Sequence, residues 1–369
     1  MSTPYLSMDL AKIEANARRV VADFAAHGIA VAGVTKVTCG HPAVAQAMLR
    51  GGVSMIGDSR LRNLHRLREG GVTAPLMLLR VPALSAAAEV VACADVSLNS
   101  ELAVLEALSA AALAQGRVHE VIVMVDLGDL REGVMPTELV PLVTALKALA
   151  GVRMVGLGTN LACFGGVVPS RENMGQLVAL SDEAARAYGQ PLRWVSGLNS
   201  SGLALLEAGH LPPAMNQARI GEAILLGRET IIRRPWPGTA QDAFLLHAEV
   251  LELKRKPSVP IGTLGEDAFG ERPRFAERGE RLRALLNVGR EDVEHAGLTP
   301  LDERLSIVGA SSGYLVMDVS AAAGDIRVGD VLPFALTYGA LLRAMTSEYV
   351  EKRLLPLSAG DGVDTRGAP

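Results

Sequence analysis

The chain has 369 residues, with 36 lysines and arginines against 40 aspartates and glutamates, a formal net charge of -4, and 49% hydrophobic and 21% charged residues. That balance describes a folded globular protein with apolar material for one large or two ordinary domains, and it offers no basic surface suited to nucleic acid. The three cysteines, Cys39, Cys93 and Cys163, lack metal-ligand spacing, and no segment reaches ~18 uninterrupted apolar residues, so no disulfide framework, metal centre or membrane span is expected.

The opening "MSTPYLSMDLAKIEANARRV" has no basic start followed by an apolar stretch, which makes the cytoplasm the expected compartment. An amphipathic helix is expected over 9–27, and then strand candidates alternate with alanine-rich helical stretches. The strands are "GIAVAGVTK", "GVSMIGD", "PLMLLR", "ADVSL", "EVIVMVDLG", "VRMVGLGTN", "LRWVSG" and "QARIG". The helices between them are expected over 42–50, 59–68, 100–114, 137–150, 171–188 and 201–208. Eight strands alternating with helices over residues 1–234 predict an α/β fold, a (β/α)8 barrel, with an open doubly wound sheet as the alternative. Beyond "RRPWPGTAQD" the runs "FLLHAEVLEL", "RLRALLNVG", "RLSIVGASS", "YLVMDVS" and "DVLPFALTY" are joined by turn signals without intervening helices. They predict a mostly β domain over 235–357, followed by a frayed tail over 358–369.

A barrel carries its chemistry at the C-terminal ends of its strands. There stand Lys36 and the polar, glycine-rich stretches "VDLGDLR", "GTNLACF", "SGLNSSG" and "ARIGEA". A lysine closing a strand is ordinarily a solvated charge. The other lysines, Lys12, Lys147, Lys254, Lys256 and Lys352, fall in helical stretches, in the second domain or near the tail, so Lys36 alone marks a barrel mouth. The Ser200 and Ser201 hydroxyls at a helix entry and the Gly221 turn suit a phosphate, although a turn with an N-cap would look the same. One well-placed lysine beside a phosphate cradle points to a Schiff-base aldolase or a pyridoxal phosphate enzyme. Arg219, a cation on an inward-facing strand, needs either a barrel carboxylate or a ligand acceptor, and toward a pyridine nitrogen it acts only as a donor.

These residues, with the phrases "ADVSLNSE", "VMVDLGDLREG", "GTNLACFGG", "RIGEAILLGRET", "KPSVPIGTLGEDAFG" and "YGALLRAMTS", resemble the fold-type III pyridoxal phosphate enzymes. Within that alanine racemase-like group, the chain looks closest to the ornithine racemase branch. The resemblance implies a homodimer with shared active sites and a pyridoxal 5'-phosphate carried by Lys36, with Arg219 toward the ring nitrogen and Arg131 near the ring oxygen. It implies a phosphate site built from Ser200, Gly221, Glu222 and Tyr338, with Asn160, Asn199 and Ser201 close by. The implied activity is racemisation of a basic amino acid, ornithine first and lysine or arginine next. A racemase of alanine or serine, a D-amino-acid lyase and a non-enzymatic cofactor carrier are the alternatives.

The chain departs from the family pattern in several places. Met124 and Asn160 replace a modified lysine and a histidine, and Arg290, followed by Glu291 and Asp292, replaces the tyrosine that serves as second base. Tyr314 is therefore expected as the second base beside Lys36, with Asp292 as runner-up. Asp267 and Glu291 are expected to pair with the terminal amine of the substrate.

Overall fold

A computed structural model describes residues 4–355. After a short strand, β1 (Tyr5–Met8), and a helix Leu10–Ala25 come eight strands: β2 (Ala30–Val34), β3 (Met55–Asp58), β4 (Leu76–Leu78), β5 (Val96–Asn99), β6 (His119–Met124), β7 (Val152–Gly158), β8 (Trp194–Leu198) and β9 (Gln217–Ile220). They pair in chain order, all parallel, and close where Ala32 of β2 lies opposite Arg219 of β9. This is the expected (β/α)8 barrel. Helices connect the strands, and each buries one stripe: Leu10–Ala25 buries Ile13, Ala17, Val20 and Phe24, the spacing of a single helical face.

Side chains fill the barrel. Ala32, Met55, Met77, Val96, Leu98, Ile122, Met124 and Val155 form one buried apolar cluster, with Trp194 packed against it. Room for the larger members comes from β7. A Cβ on Gly158 would stand 3.0 Å from the Met124 sulfur and 2.9 Å from the Ser196 carbonyl, and one on Gly156 would stand 2.9 Å from the Trp194 Cβ. Met124, where the family pattern has a lysine, is thus a core residue with no exposed surface.

The chain divides into two units, Leu10–Gln241 and a second that joins residues 4–9 to 242–355. That division differs from the expected boundary at both ends. The segment after residue 234 stays with the barrel because Trp236 is buried and donates its indole N–H to Asp23, while Thr239 and Gln241 bond the Gly227 carbonyl. Residues 4–9 leave the barrel because β1 adds to the second unit's sheet.

That sheet contains β10 (Phe244–Pro257), β11 (Glu280–Leu286), β12 (Leu298–Pro300), β13 (Ser306–Ala310), β14 (Leu315–Asp318), β15 (Val331–Leu336) and β16 (Glu351–Leu354). Its order is β12-β15-β10-β11-β14-β13, with β1 antiparallel to β10 and parallel to β16. Phe244, Leu246, Ala248 and Val250 alternate inward along β10, the period-two pattern of a half-buried strand. A helix, Tyr338–Thr346, follows β15 in this mostly β unit. Thr337 caps it by accepting the Ala340 N–H, and Ala340, Leu341, Ala344 and Met345 form its buried face. The expected tail, 358–369, lies outside the described residues. No helix among the described residues is long and apolar enough to cross a membrane.

Candidate active site

The first barrel strand ends two residues earlier than its sequence suggests. β2 stops at Val34, Thr35 follows, and Lys36 opens a 3-10 turn, Lys36–Thr38, that Cys39 closes at a φ of 53°. The Lys36 side chain is exposed and makes no hydrogen bond or ion pair among the described residues, and the Glu222 carboxylate is a charged neighbour. Glu222 is paired with Arg233 at 2.7 Å. Burial nevertheless pushes its carboxyl above the ordinary value, against the opposing pull of Arg233, Arg228 and Lys36.

Arg219 is a buried cation of the barrel, only 5% exposed, and no carboxylate among the described residues pairs with it. Its Nη1 donates to the Ser196 carbonyl at 2.8 Å and to the Ser196 hydroxyl, and its Nη2 donates to the Thr159 carbonyl at 2.6 Å. Neutral acceptors replace the ion pair that the sequence left open as its alternative. Burial pulls the guanidinium down to about 10, so it stays protonated at neutral pH. Of the five N–H groups of a guanidinium, the Nε–H and one on Nη2 have no acceptor among the described residues.

The remaining strand ends interlock. Asn199 donates to the Leu161 carbonyl at 2.7 Å and to Asn160 Oδ1 at 3.4 Å, and its own oxygen accepts the Ser201 N–H at 2.8 Å. Ser200 Oγ accepts the Ala223 N–H at 3.1 Å, linking the turn after β8 to the Gly221–Glu222 turn after β9. Two buried hydroxyls here, Ser201 Oγ and Thr159 Oγ1, have no hydrogen-bond partner among the described residues. Buried polar groups are rarely left so, and a pair at a barrel mouth fits a polar ligand.

Buried carboxylates hold the loops around this end. Asp126 accepts the N–H groups of Gly128, Leu130 and Arg131. Asp129 reaches across to the loop after β7 and accepts from Phe164, Val167 and Cys163. Burial alone would raise Asp129, but those backbone N–H groups outweigh it and hold the carboxyl below its ordinary range. Arg131 lies between the same loops, ion-paired with Glu132 and 2.9 Å from Cys163 Sγ. Of the four non-glycine residues of positive φ among the described residues, Cys39, Leu130 and Ala162 lie in loops that follow barrel strands, and Arg233 lies beyond the short helix Glu222–Leu225. Backbone strain of that kind concentrates at functional sites.

The barrel's C-terminal end therefore gathers Lys36, Arg131, Asn160, Asn199, Ser200, Ser201, Arg219, Gly221 and Glu222. Thr35, Asp58, Thr159, Ser196 and Glu132 join them unannounced by the sequence. Thr159 and Ser196 lie in the polar strand-end stretches already singled out, but strand register decides which of their atoms meet Arg219.

The other candidates belong to the second unit. Tyr314 is 49% exposed, at the turn from β13 to β14, where its N–H bonds Ser311 Oγ at 3.2 Å. Asp292 is buried, with its oxygens accepting the Gly289 N–H and the Ser347 hydroxyl, each at 3.1 Å. Asp267 accepts the Phe269 and Glu271 N–H groups, which hold its carboxyl below the ordinary range, and faces Arg290 at 3.7 Å. Arg290 also pairs with Glu271 and lies over the Phe269 ring at 3.8 Å. Glu291 is exposed, and Tyr338 begins the helix capped by Thr337.

Residues 8–229 match the profile of the alanine racemase N-terminal domain. A lysine racemase of Thermotoga maritima is 41% identical over 352 residues, 95% of this chain and 98% of that protein. An ornithine racemase of Acetoanaerobium sticklandii is 40% identical over 353 residues, 95% and 99% of the two chains. Among solved structures, the alanine racemase of a D-cycloserine-producing Streptomyces lavendulae has a TM-score of 0.75 at 20% identity, covering 96% of this chain and 98% of that one. The alanine racemase of Bartonella henselae with covalently bound pyridoxal phosphate has a TM-score of 0.74 at 17% identity, covering 96% and 100%.

Proposed function

The chain belongs to the alanine racemase family, and from that premise we propose that it is a pyridoxal phosphate-dependent isomerase that interconverts the L and D forms of ornithine or lysine. The observation that carries this reading is the near-full-length match to an ornithine and a lysine racemase at 40% and 41% identity.

The barrel residues fit the cofactor. Lys36 would hold it covalently, and the open N–H groups of Arg219 suit a ring nitrogen. The unpartnered Ser201 hydroxyl, with Ser200, Gly221 and Glu222, suits the phosphate, and Arg131 suits the ring oxygen, while Tyr338 of the second unit enters on the family resemblance alone. When bound, the cofactor withdraws electrons from the substrate Cα and makes its proton removable. Arg219, protonated at neutral pH, can only donate there, which favours simple proton removal over more extensive carbanion chemistry.

Lys36 Nζ, on an exposed and otherwise uncommitted side chain, is suited to take or return the α-proton on one face. Tyr314 Oη is our choice for the opposite face, since its side chain is half-exposed while both Asp292 oxygens are engaged. Glu291, exposed, is better suited than Asp267 to pair with a terminal ammonium, because the Asp267 carboxylate serves its own loop. We read the enzyme as a cytoplasmic homodimer. The exposed Leu130, Phe164 and Val168 in loops after barrel strands, with Ile232 beyond the helix Glu222–Leu225, support a covered surface there.

The test is to incubate the protein with each pure enantiomer of ornithine, lysine, arginine, alanine and serine in deuterated water. Loss of optical activity with deuterium at Cα, and with ornithine or lysine fastest, is expected. Release of ammonia, aldehyde or carbon dioxide would sink the reading.

A further inference from the structure

Asp58 is the last residue of β3, has no exposed surface and takes no part in the chemistry described above. Its Oδ2 accepts the Thr35 hydroxyl at 2.9 Å, and its Oδ1 accepts Asn63 Nδ2 at 2.9 Å and the Arg60 N–H at 3.1 Å. Burial raises its carboxyl above the ordinary value despite those bonds, so this acid is costly to keep where it is.

Thr35, the residue before Lys36, is also fully buried and works in two directions. Toward β3, its N–H donates to the Gly57 carbonyl at 3.0 Å and its hydroxyl to Asp58. Toward the lysine turn, its single carbonyl accepts three bonds: the Thr38 N–H at 2.9 Å, the Thr38 hydroxyl at 2.9 Å and the Gly40 N–H at 3.2 Å. The returning chain packs on the other arm of the network, since a Cβ on Gly40 would stand 2.7 Å from the Asn63 Cβ. A lysine side chain is a flexible four-carbon stem, so a protein can govern its amine mainly by fixing where the stem begins.

We propose that Asp58 and Thr35 are positioning residues for Lys36: the carboxylate holds the threonine hydroxyl, and the threonine carbonyl holds the turn from which the lysine projects. This rests on Lys36 being the attachment lysine. Thr35→Val keeps the volume and removes the hydroxyl. Thr35→Ser keeps the hydroxyl. Asp58→Asn keeps the volume and turns one acceptor into a donor.

Full-length protein stripped of cofactor is mixed with pyridoxal phosphate, quenched with borohydride at intervals, and the labelled peptide is quantified by mass spectrometry. Thermal unfolding, kcat and KM are measured on the same variants. A 1 Å misplacement can cost up to about 100-fold, so Thr35→Val should slow both labelling of Lys36 and kcat about tenfold with KM nearly unchanged. Thr35→Ser should restore both, and Asp58→Asn should fall between.

The proposal is overturned if wild type labels at Lys36 and Thr35→Val and Asp58→Asn label as fast, with kcat per folded molecule intact, even where Tm drops. Label on a different lysine in wild type overturns the Lys36 reading itself and this one with it.

Discussion

Polar groups at the barrel's C-terminal end and those on the turns of the second unit differ in what they leave uncommitted. Among the described residues at the barrel, the Lys36 side chain has no hydrogen-bond partner, Arg219 keeps two N–H groups open, and Ser201 and Thr159 bury hydroxyls with nothing to bond. On the turns, Asp292 and Asp267 spend their oxygens on nearby backbone N–H groups, a serine and an arginine. A carboxylate whose acceptors are filled by its own loop is holding that loop. A buried hydroxyl without a partner is an unfinished interaction. The distinction assigns roles that residue type alone leaves open, and substitutions in each region can break it.

The largest expected effect is at the barrel. Lys36→Ala should abolish borohydride-reducible attachment of the cofactor and lower racemisation by about 10³-fold or more. If cofactor remains reducibly attached, another lysine carries it, and an uncommitted amine at a strand end would have misled. Next comes the one second-unit residue kept as a base. Tyr314→Phe should lower kcat by about 100-fold while the cofactor spectrum stays that of wild type. Full activity in that variant would remove Tyr314 from the chemistry and leave the second unit without a proton carrier.

The same contrast explains which parts of the molecule could be read from the sequence. The eight barrel strands were legible because each is a short apolar run bounded by glycine or a polar turn, and Lys36 because no other lysine closes one of them. Strand β1 was not, because its four residues carry too little periodicity and its partners β10 and β16 lie more than 230 residues away. The helix Tyr338–Thr346 was hidden because it follows β15 directly and has glycine at its second position. Arg219 was legible as a residue in need of partners, but the carbonyls of Ser196 and Thr159 that satisfy it are main-chain atoms, which sequence chemistry does not flag. The link from Asp58 to Lys36 depends on β2 and β3 running with Val34 opposite Gly57, and register across strands is a tertiary fact.

Asp292 gives the smallest effect and the sharpest test of the rule. Its two oxygens tie the Gly289 turn to Ser347, so Asp292→Asn, which keeps one acceptor and removes the charge, should lower stability by about 1 kcal/mol. Because the side chain is only 4% exposed and already engaged, kcat per folded molecule should stay within about twofold, as befits loss of a structural hydrogen bond. Denaturant unfolding and steady-state racemisation on the same preparation separate the two quantities. The opposite pattern, a collapse of kcat with unfolding unchanged, would mean that a carboxylate can have both oxygens engaged in structural bonds and still carry the proton. In that case engaged acceptors would no longer mark a structural residue, and Asp292 would replace Tyr314 as the proposed second base.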